Sequence, residues 1–192
     1  YTNNGPTNIL AGGLLTLTQT AIHSGNFDIA AGGTLDFNTG NQTVLATGGI
    51  SGAGTLTLTD AVLTLETNST VGAFDMSGAL SVLQGSGNLT VTGLSTWSAG
   101  LMDGTGMTSF NGGVDITGPV TLNRTINITG GSLSGTGNVS DAGSGALNIT
   151  SGLFSVTTTG NIDTGITITS GATLDVTGTL DVSVAPTIGV TN

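Results

Sequence analysis

The sequence predicts an all-β fold, a single-stranded parallel β-helix (β-solenoid) of roughly eight to ten coils. Three observations predict it. One small unit recurs along the chain: a glycine, one or two small residues, an aliphatic, a polar residue, another aliphatic, then a turn. The first copies stand about 20 residues apart, a spacing typical of solenoids. Finally, Thr, Val, Ile, Gly, Asn and Ser dominate a chain with 34 Gly, one Glu and no Lys. That composition favours short strands and turns over helices.

The unit is clearest in GATLDVTGTLDVS, residues 171–183, which holds two copies. Leu174 and Val176 flank Asp175; Leu180 and Val182 flank Asp181. In an extended chain successive side chains point to opposite faces. The aliphatics therefore go inward together and each Asp goes out, while glycine supplies the turn. A face this short is stable only when copies stack above and below it.

The other copies follow in order. Leu15 and Leu17 flank Thr16 after Gly12-Gly13, and Leu35 and Phe37 flank Asp36 after Gly32-Gly33. Leu56 and Leu58 flank Thr57, Leu80 and Val82 flank Ser81, and Leu89 and Val91 flank Thr90. Further on, Val114 and Ile116 enclose Asp115, and Ile126 and Ile128 enclose Asn127. Leu147 and Ile149 enclose Asn148, and Ile166 and Ile168 enclose Thr167. Later copies keep a looser spacing of about 19 to 25 residues. Phe27-Ile29, Val44-Leu45, Leu63-Leu65, Val120-Leu122 and Leu153-Val156 are expected to form the other sides of each coil. A β-sandwich also shows short strands with regular turns. It ranks second, because the repeats are too monotonous and aromatics make up only 4% of the chain, little volume for a sandwich core.

No linker or charge run divides the chain, so residues 1–192 read as one solenoid domain. Residues 94–113 (LSTWSAGLMDGTGMTSFNGG) depart from the pattern with the only Trp, two Met and Phe110. They are expected to be an irregular coil widened by large side chains, or a loop packed outside. Proline lacks a donor and prefers edges, so Pro6 and Pro186 are expected to mark where regular stacking stops.

The net charge is −10, with one Lys or Arg against eleven acids. Phosphate contacts need cations, so nucleic acid is excluded as a partner, and an acidic membrane surface repels the chain. There is no Cys, hence no disulfide framework and no thiol nucleophile. No apolar run approaches the roughly 18 residues of a membrane span, and no basic leader is present. The start at Tyr1 fits a mature secreted product or an excised fragment. A mean hydropathy of +0.33 argues against charge-driven disorder.

Few residues carry chemistry. His23 is expected in a surface turn rather than in a triad. Arg124, the sole strong cation, is expected to pair with an Asp or to be solvated. The ten Asp are dispersed, about one per coil. Stacked, they form a column diluted by Thr and Asn, with coils about 4.8 Å apart. A close glycosidase pair is not expected. GTGNVSD at 135–141 only faintly echoes the calcium-binding nonapeptide, so weak calcium is the most the sequence supports. Asn-x-Ser/Thr occurs at Asn41, Asn68, Asn88, Asn123, Asn127, Asn138 and Asn148, a modest excess over the roughly four expected by chance. Thr-x-Thr pairs at 16/18, 57/59, 90/92 and 167/169 read as outward β-branched ladders.

AGGTLDF at Ala31–Phe37 and GAGTLTLTD at Gly52–Asp60 resemble the autotransporter-associated β-strand repeat, with its Gly-rich lead before Thr-Leu-x-Leu or Thr-Leu-x-Val. The wider chain is similar to passenger regions of autotransporters and filamentous-haemagglutinin-type adhesins. TWSAGLMDGTG at Thr96–Gly106 is similar to a run found in large secreted bacterial repeat proteins. The resemblance implies a right-handed coil, located at a bacterial surface or outside the cell. It names no ligand, and neither a membrane barrel nor a secretion domain is visible.

The expectation is therefore a non-enzymatic extracellular structural or adhesive solenoid. No amphipathic capping helix shows at either end, so both ends should meet other β-structure, either an identical subunit or neighbouring repeats of a larger protein. The product is a fibre or an adhesin shaft. No residue is assigned a catalytic, cofactor-binding or metal-binding role. A carbohydrate- or ice-binding face on a monomer ranks second, with surface glycans as the partner, and a polysaccharide-cleaving enzyme ranks third.

Overall fold

The computed structural model describes residues 1–135, 137–143, 145–156, 160–163, 165–168, 172–176 and 180–182. Over these residues the chain is a β-solenoid of parallel stacked strands, without a helix. Each coil has three short strands, one per face. The second face stacks nine strands, from Leu14–Leu17 through Thr34–Phe37 and Thr55–Leu58 to Ala172–Val176. The third face also stacks nine, from Ala21–His23 through Gly40–Val44 and Ala61–Leu65 to Leu180–Val182.

The first face is split. Thr7–Ile9, Asn26–Ile29 and Gly49–Gly52 form a three-stranded sheet, and six strands from Ser69–Val71 to Gly165–Ile168 form another. At the break a side chain replaces a ladder bond: Ile50 N–H donates to Ser69 Oγ at 3.3 Å. Two more buried serines act alike. Ser95 Oγ accepts from Phe74 N–H at 3.0 Å. Ser81 Oγ accepts from Asp60 N–H at 2.8 Å and donates to the Leu58 carbonyl at 3.1 Å. An unpaired buried amide costs about 1–3 kcal/mol, so each serine holds a place an aliphatic could not.

The register shows how the repeating unit is used. Leu15 pairs with Leu35, 20 residues on; Leu35 with Leu56, 21 on; Leu56 with Phe74, 18 on. These pairs lie on the second face. Leu89/Val91, Ile126/Ile128, Leu147/Ile149 and Ile166/Ile168 lie on the first. One sequence motif thus serves more than one face, and its looser spacing in the sequence combines changes of face with coils of unequal length.

Leu80 and Val82 correct the expectation for their unit. Ser81 between them is buried, and Leu80 is 73% exposed. Leu83, fully buried, sets the phase of Val82–Gln84, and the hydrogen bonds of Ser81 hold it inward.

Residues 94–113 are neither irregular nor an outer loop. They supply Ser95–Trp97, Leu101–Met102 and Met107–Phe110, one strand per face and in register with their neighbours. Trp97, Met102 and Phe110 are buried, so the large side chains fill the coil from inside. Pro6 immediately precedes the first strand; Pro186 lies outside the described residues. Close stacking of corners requires glycine at Gly52, whose φ is +117° and where a Cβ would sit 2.1 Å from the Ile29 carbonyl.

Candidate functional site

The interior holds the two residues most able to do chemistry. His23 is fully buried, which corrects the expected surface turn. It ends Ala21–His23 and points inward between Phe27 and Phe37, with ring centroids 5.1 and 6.1 Å away. Asn3 N–H donates to His23 Nδ1 at 3.1 Å, and Nε2 lies 2.9 Å from Gln42 Oε1. Nδ1 must accept, so Nε2 carries the proton and the ring is neutral. Gln42 Nε2 donates onward to the Gln19 carbonyl at 2.6 Å. Asn3 then accepts from Ser24 and Gly25 N–H, at 2.9 and 3.0 Å, through its own carbonyl. The network closes the first corner.

Burial lowers the His23 pKa from its ordinary 6.5, against the hydrogen bond that Nε2–H donates to Gln42. The unfolded chain therefore binds this proton more readily than the folded one. The sign follows: the stability from neutral His23 is complete above about pH 6.5 and is lost as pH falls below that value. Thermal unfolding followed from pH 7.5 to 5.5 is expected to show a falling midpoint. Protonated His23 should release Asn3, so amide exchange at Ser24 and Gly25 should accelerate first. A midpoint that rises steadily over this range would contradict the assignment.

Arg124 is also buried, at 2% exposure, so it is not solvated, and the acid whose charge acts on it is Asp103. The register places it above Gly106, which in turn stacks above Gly87. Its guanidinium fills the space these glycines leave. One nitrogen donates to the Gly87 carbonyl at 3.1 Å and another to the Asp103 carbonyl at 3.2 Å. Desolvation lowers its pKa to about 10, opposed by the Asp103 charge, so it stays cationic at neutral pH. The Asp103 carboxylate accepts from Asn123 Nδ2 at 2.8 Å and from Gly104 N–H at 2.7 Å.

The outward columns differ by face. The second face runs Thr16, Asp36, Thr57, Asp75, Thr96, Asp115, Ser134. Acids and hydroxyls alternate, so neighbouring carboxylates stand two rungs apart, about 9.6 Å. Such a spacing suits charge relief rather than the roughly 5 Å pair of a retaining glycosidase. Burial raises the pKa of Asp36 and of Asp75 despite hydrogen bonds to both. The alternation also breaks up any Thr lattice, and Thr16 and Thr57 lie on a different face from Thr90 and Thr167. The first face is polar and uncharged over Thr70, Thr90, Ser109, Asn127, Asn148 and Thr167. There Asn148 Nδ2 donates to Asn127 Oδ1 at 2.9 Å.

Asp141, at the faint calcium echo, uses Oδ1 to accept from Gly143 and Gly145 N–H, both at 2.9 Å. Among the described residues no group of three or more His, Asp or Glu converges. No described helix is long and apolar enough to cross a membrane.

The remaining feature is the open edge of the first coil. Thr7–Ile9, Leu14–Leu17 and Ala21–His23 are edge strands of their sheets. Gly13 and Leu17 carbonyls accept from Thr34 and Asn38 N–H. The alternate residues, Leu14 and Thr16, therefore turn their N–H and C=O groups toward the open side. Beside them lies an apolar hollow of about 360 Å³, lined by Ile9, Leu10, Leu14 and Leu15. Leu10 and Leu14 are 71% and 68% exposed.

The chain matches no protein-family model, no curated protein and no solved structure.

Proposed function

We propose that the protein is a non-enzymatic structural or adhesive solenoid of the cell exterior, extended end to end into a fibre or an adhesin shaft. One observation carries the reading: the first coil ends in an unpaired parallel edge beside uncovered leucines. Unpaired edges template further pairing, and head-to-tail contacts of this kind generate open filaments. A parallel coil laid beneath this edge would take up the free Leu14 and Thr16 groups and cover Leu10 and Leu14. That coil belongs either to a second copy or to preceding repeats of a longer chain. The non-enzymatic part is supported by the use of His23 and Arg124 as internal hydrogen-bonding groups, out of reach of a substrate. The extracellular part is supported by the repeat resemblance.

Thr16→Pro tests the edge. Proline removes a backbone donor that faces the open side, together with the Thr16 hydroxyl bonded to Asp36, and is tolerated on edge strands. Electron microscopy of the unmodified protein is expected to show filaments or rods longer than one solenoid. The Thr16→Pro protein is expected to keep its circular dichroism spectrum and to form short particles only. Uniform single solenoids from the unmodified chain, or filaments unaffected by the proline, would sink the reading.

A further inference from the structure

The third face carries a feature that end-to-end growth does not use. Its outward column runs Val62, Val82, Leu101, Thr121. The three aliphatics are only half-buried. Val82 and Leu101 border a shallow groove of about 450 Å³ whose walls include Leu80, Ala99 and Pro119. Leu80 stands on its rim, 73% exposed.

The chain fixes Leu80 in that position. Ser81 is pinned inward by its bonds to Asp60 N–H and the Leu58 carbonyl. Leu80 N–H donates to Asp60 Oδ1 at 3.1 Å, and Asp60 itself adopts a left-handed φ of 54°. A corner that uses a left-handed aspartate to hold a leucine in water presents a preformed knob. Contiguous exposed apolar surface rimmed by polar groups marks an interaction site.

Charge selects the occupant. The two cationic side chains that could compensate acids are absent from the surface: His23 is buried and neutral, and Arg124 is buried. Two copies at −10 each can approach closely only where acids are missing. The second face carries Asp36, Asp75 and Asp115 in its outward column. On the third face, the outward residues from Ile22 through Thr43, Thr64, Val82 and Leu101 to Thr121 are uncharged. Acids flank this strip at the corners, at Asp60, Glu66 and Asp103, and return on the face only beyond it, in Val139–Asp141, Gly160–Asp163 and Leu180–Val182. The first face is almost free of charge but polar.

We propose that two solenoids pair side by side through this strip of the third face. The contact is two-fold, with Leu80 of each copy seated in the groove of the other between Val82, Ala99, Leu101 and Pro119. Knob and hole lie on one patch, as a self-complementary contact requires. The pairing is independent of end-to-end growth, because it uses a side and not an edge.

The test is sedimentation equilibrium in the Thr16→Pro background, which suppresses end-on growth. The expected result is a reversible dimer that tightens as salt is raised, since screening relieves the corner acids. Leu80→Asp is expected to weaken it at least about tenfold, the effect of losing a central anchor. Leu80→Ser, which adds no charge, should weaken it as well. Leu94→Asp is the control: Leu94 is 63% exposed and lies at a corner away from the strip, so dimerisation should be unchanged. Both leucines are solvent-facing, and circular dichroism should show every variant folded. A monomer at all salt concentrations would overturn the proposal. So would equal loss from Leu94→Asp, or an intact dimer in Leu80→Asp. Filaments without pairs would sink this inference alone, and pairs without filaments would sink only the end-on reading.

Discussion

Leu56→Asp is expected to abolish the cooperative fold. Leu56 is fully buried and sits in the second-face column between Leu35 below and Phe74 above. An Asp there is stacked between an aliphatic and an aromatic side chain and shut off from water. Burying an unpaired carboxylate, or forcing it to protonate, costs several kcal/mol. The cavity left by the missing aliphatic volume adds about 2–5 kcal/mol. The sum is comparable to the whole stability of a domain, about 5–15 kcal/mol. A solenoid is held mainly by contacts between successive coils, so damage at the third coil should also detach the two before it. Circular dichroism and limited proteolysis check this. The informative partner is Thr57→Asp, one residue on and facing outward. It places a third carboxylate between Asp36 and Asp75 at one-rung spacing, which costs about 1 kcal/mol per neighbour in water and should fade with salt. If Leu56→Asp melts like the unmodified protein, the inward phase assigned to the strand is wrong.

Trp97→Ala should rank next. Trp97 is 2% exposed, packs between Met76 and Ile116 in adjacent coils, and donates from its indole nitrogen to the Ala99 carbonyl at 3.0 Å. Its removal empties the middle of the solenoid at once. Trp→Ala in a core costs about 3–5 kcal/mol, and for a chain of this size each kcal/mol lowers the midpoint by about 2–4 °C. A drop of about 10 °C or more is therefore expected by calorimetry. Trp97→Phe keeps most of the volume and should lose much less. A change below about 2 °C for the alanine variant would mean that the indole lies outside the coil.

Much of the architecture was legible because inward and outward residues alternate strictly. Leu35/Phe37 and Leu56/Leu58 give both strand and phase without further information. Phase failed at Leu80, where Leu80, Val82 and Leu83 offer two readings. The choice rests on a hydrogen bond to Asp60, 21 residues earlier, which no local pattern encodes. The interior polar groups were missed for a similar reason. Nothing near His23 marks it as buried; its partner Gln42 is 19 residues on, one coil away. Arg124 had a readable signal in retrospect. Gly87, Gly106 and Arg124 fall on one register line, two empty positions followed by the longest side chain in the sequence. The apolar strip of the third face could not be anticipated, since it is assembled from three coils and depends on the reversed phase at Leu80.

The split in the first face has a mechanical consequence. Ladder bonds in a stacked coil point along the long axis, so tension applied at the two ends loads successive rungs in series and the weakest one sets the breaking force. Between Gly49–Gly52 and Ser69–Val71 one side of the coil lacks a continuous ladder, and the Ser69 hydroxyl stands in for a ladder bond. A stretched solenoid should yield there first, shedding the three coils before the split while the described coils behind it stay wound.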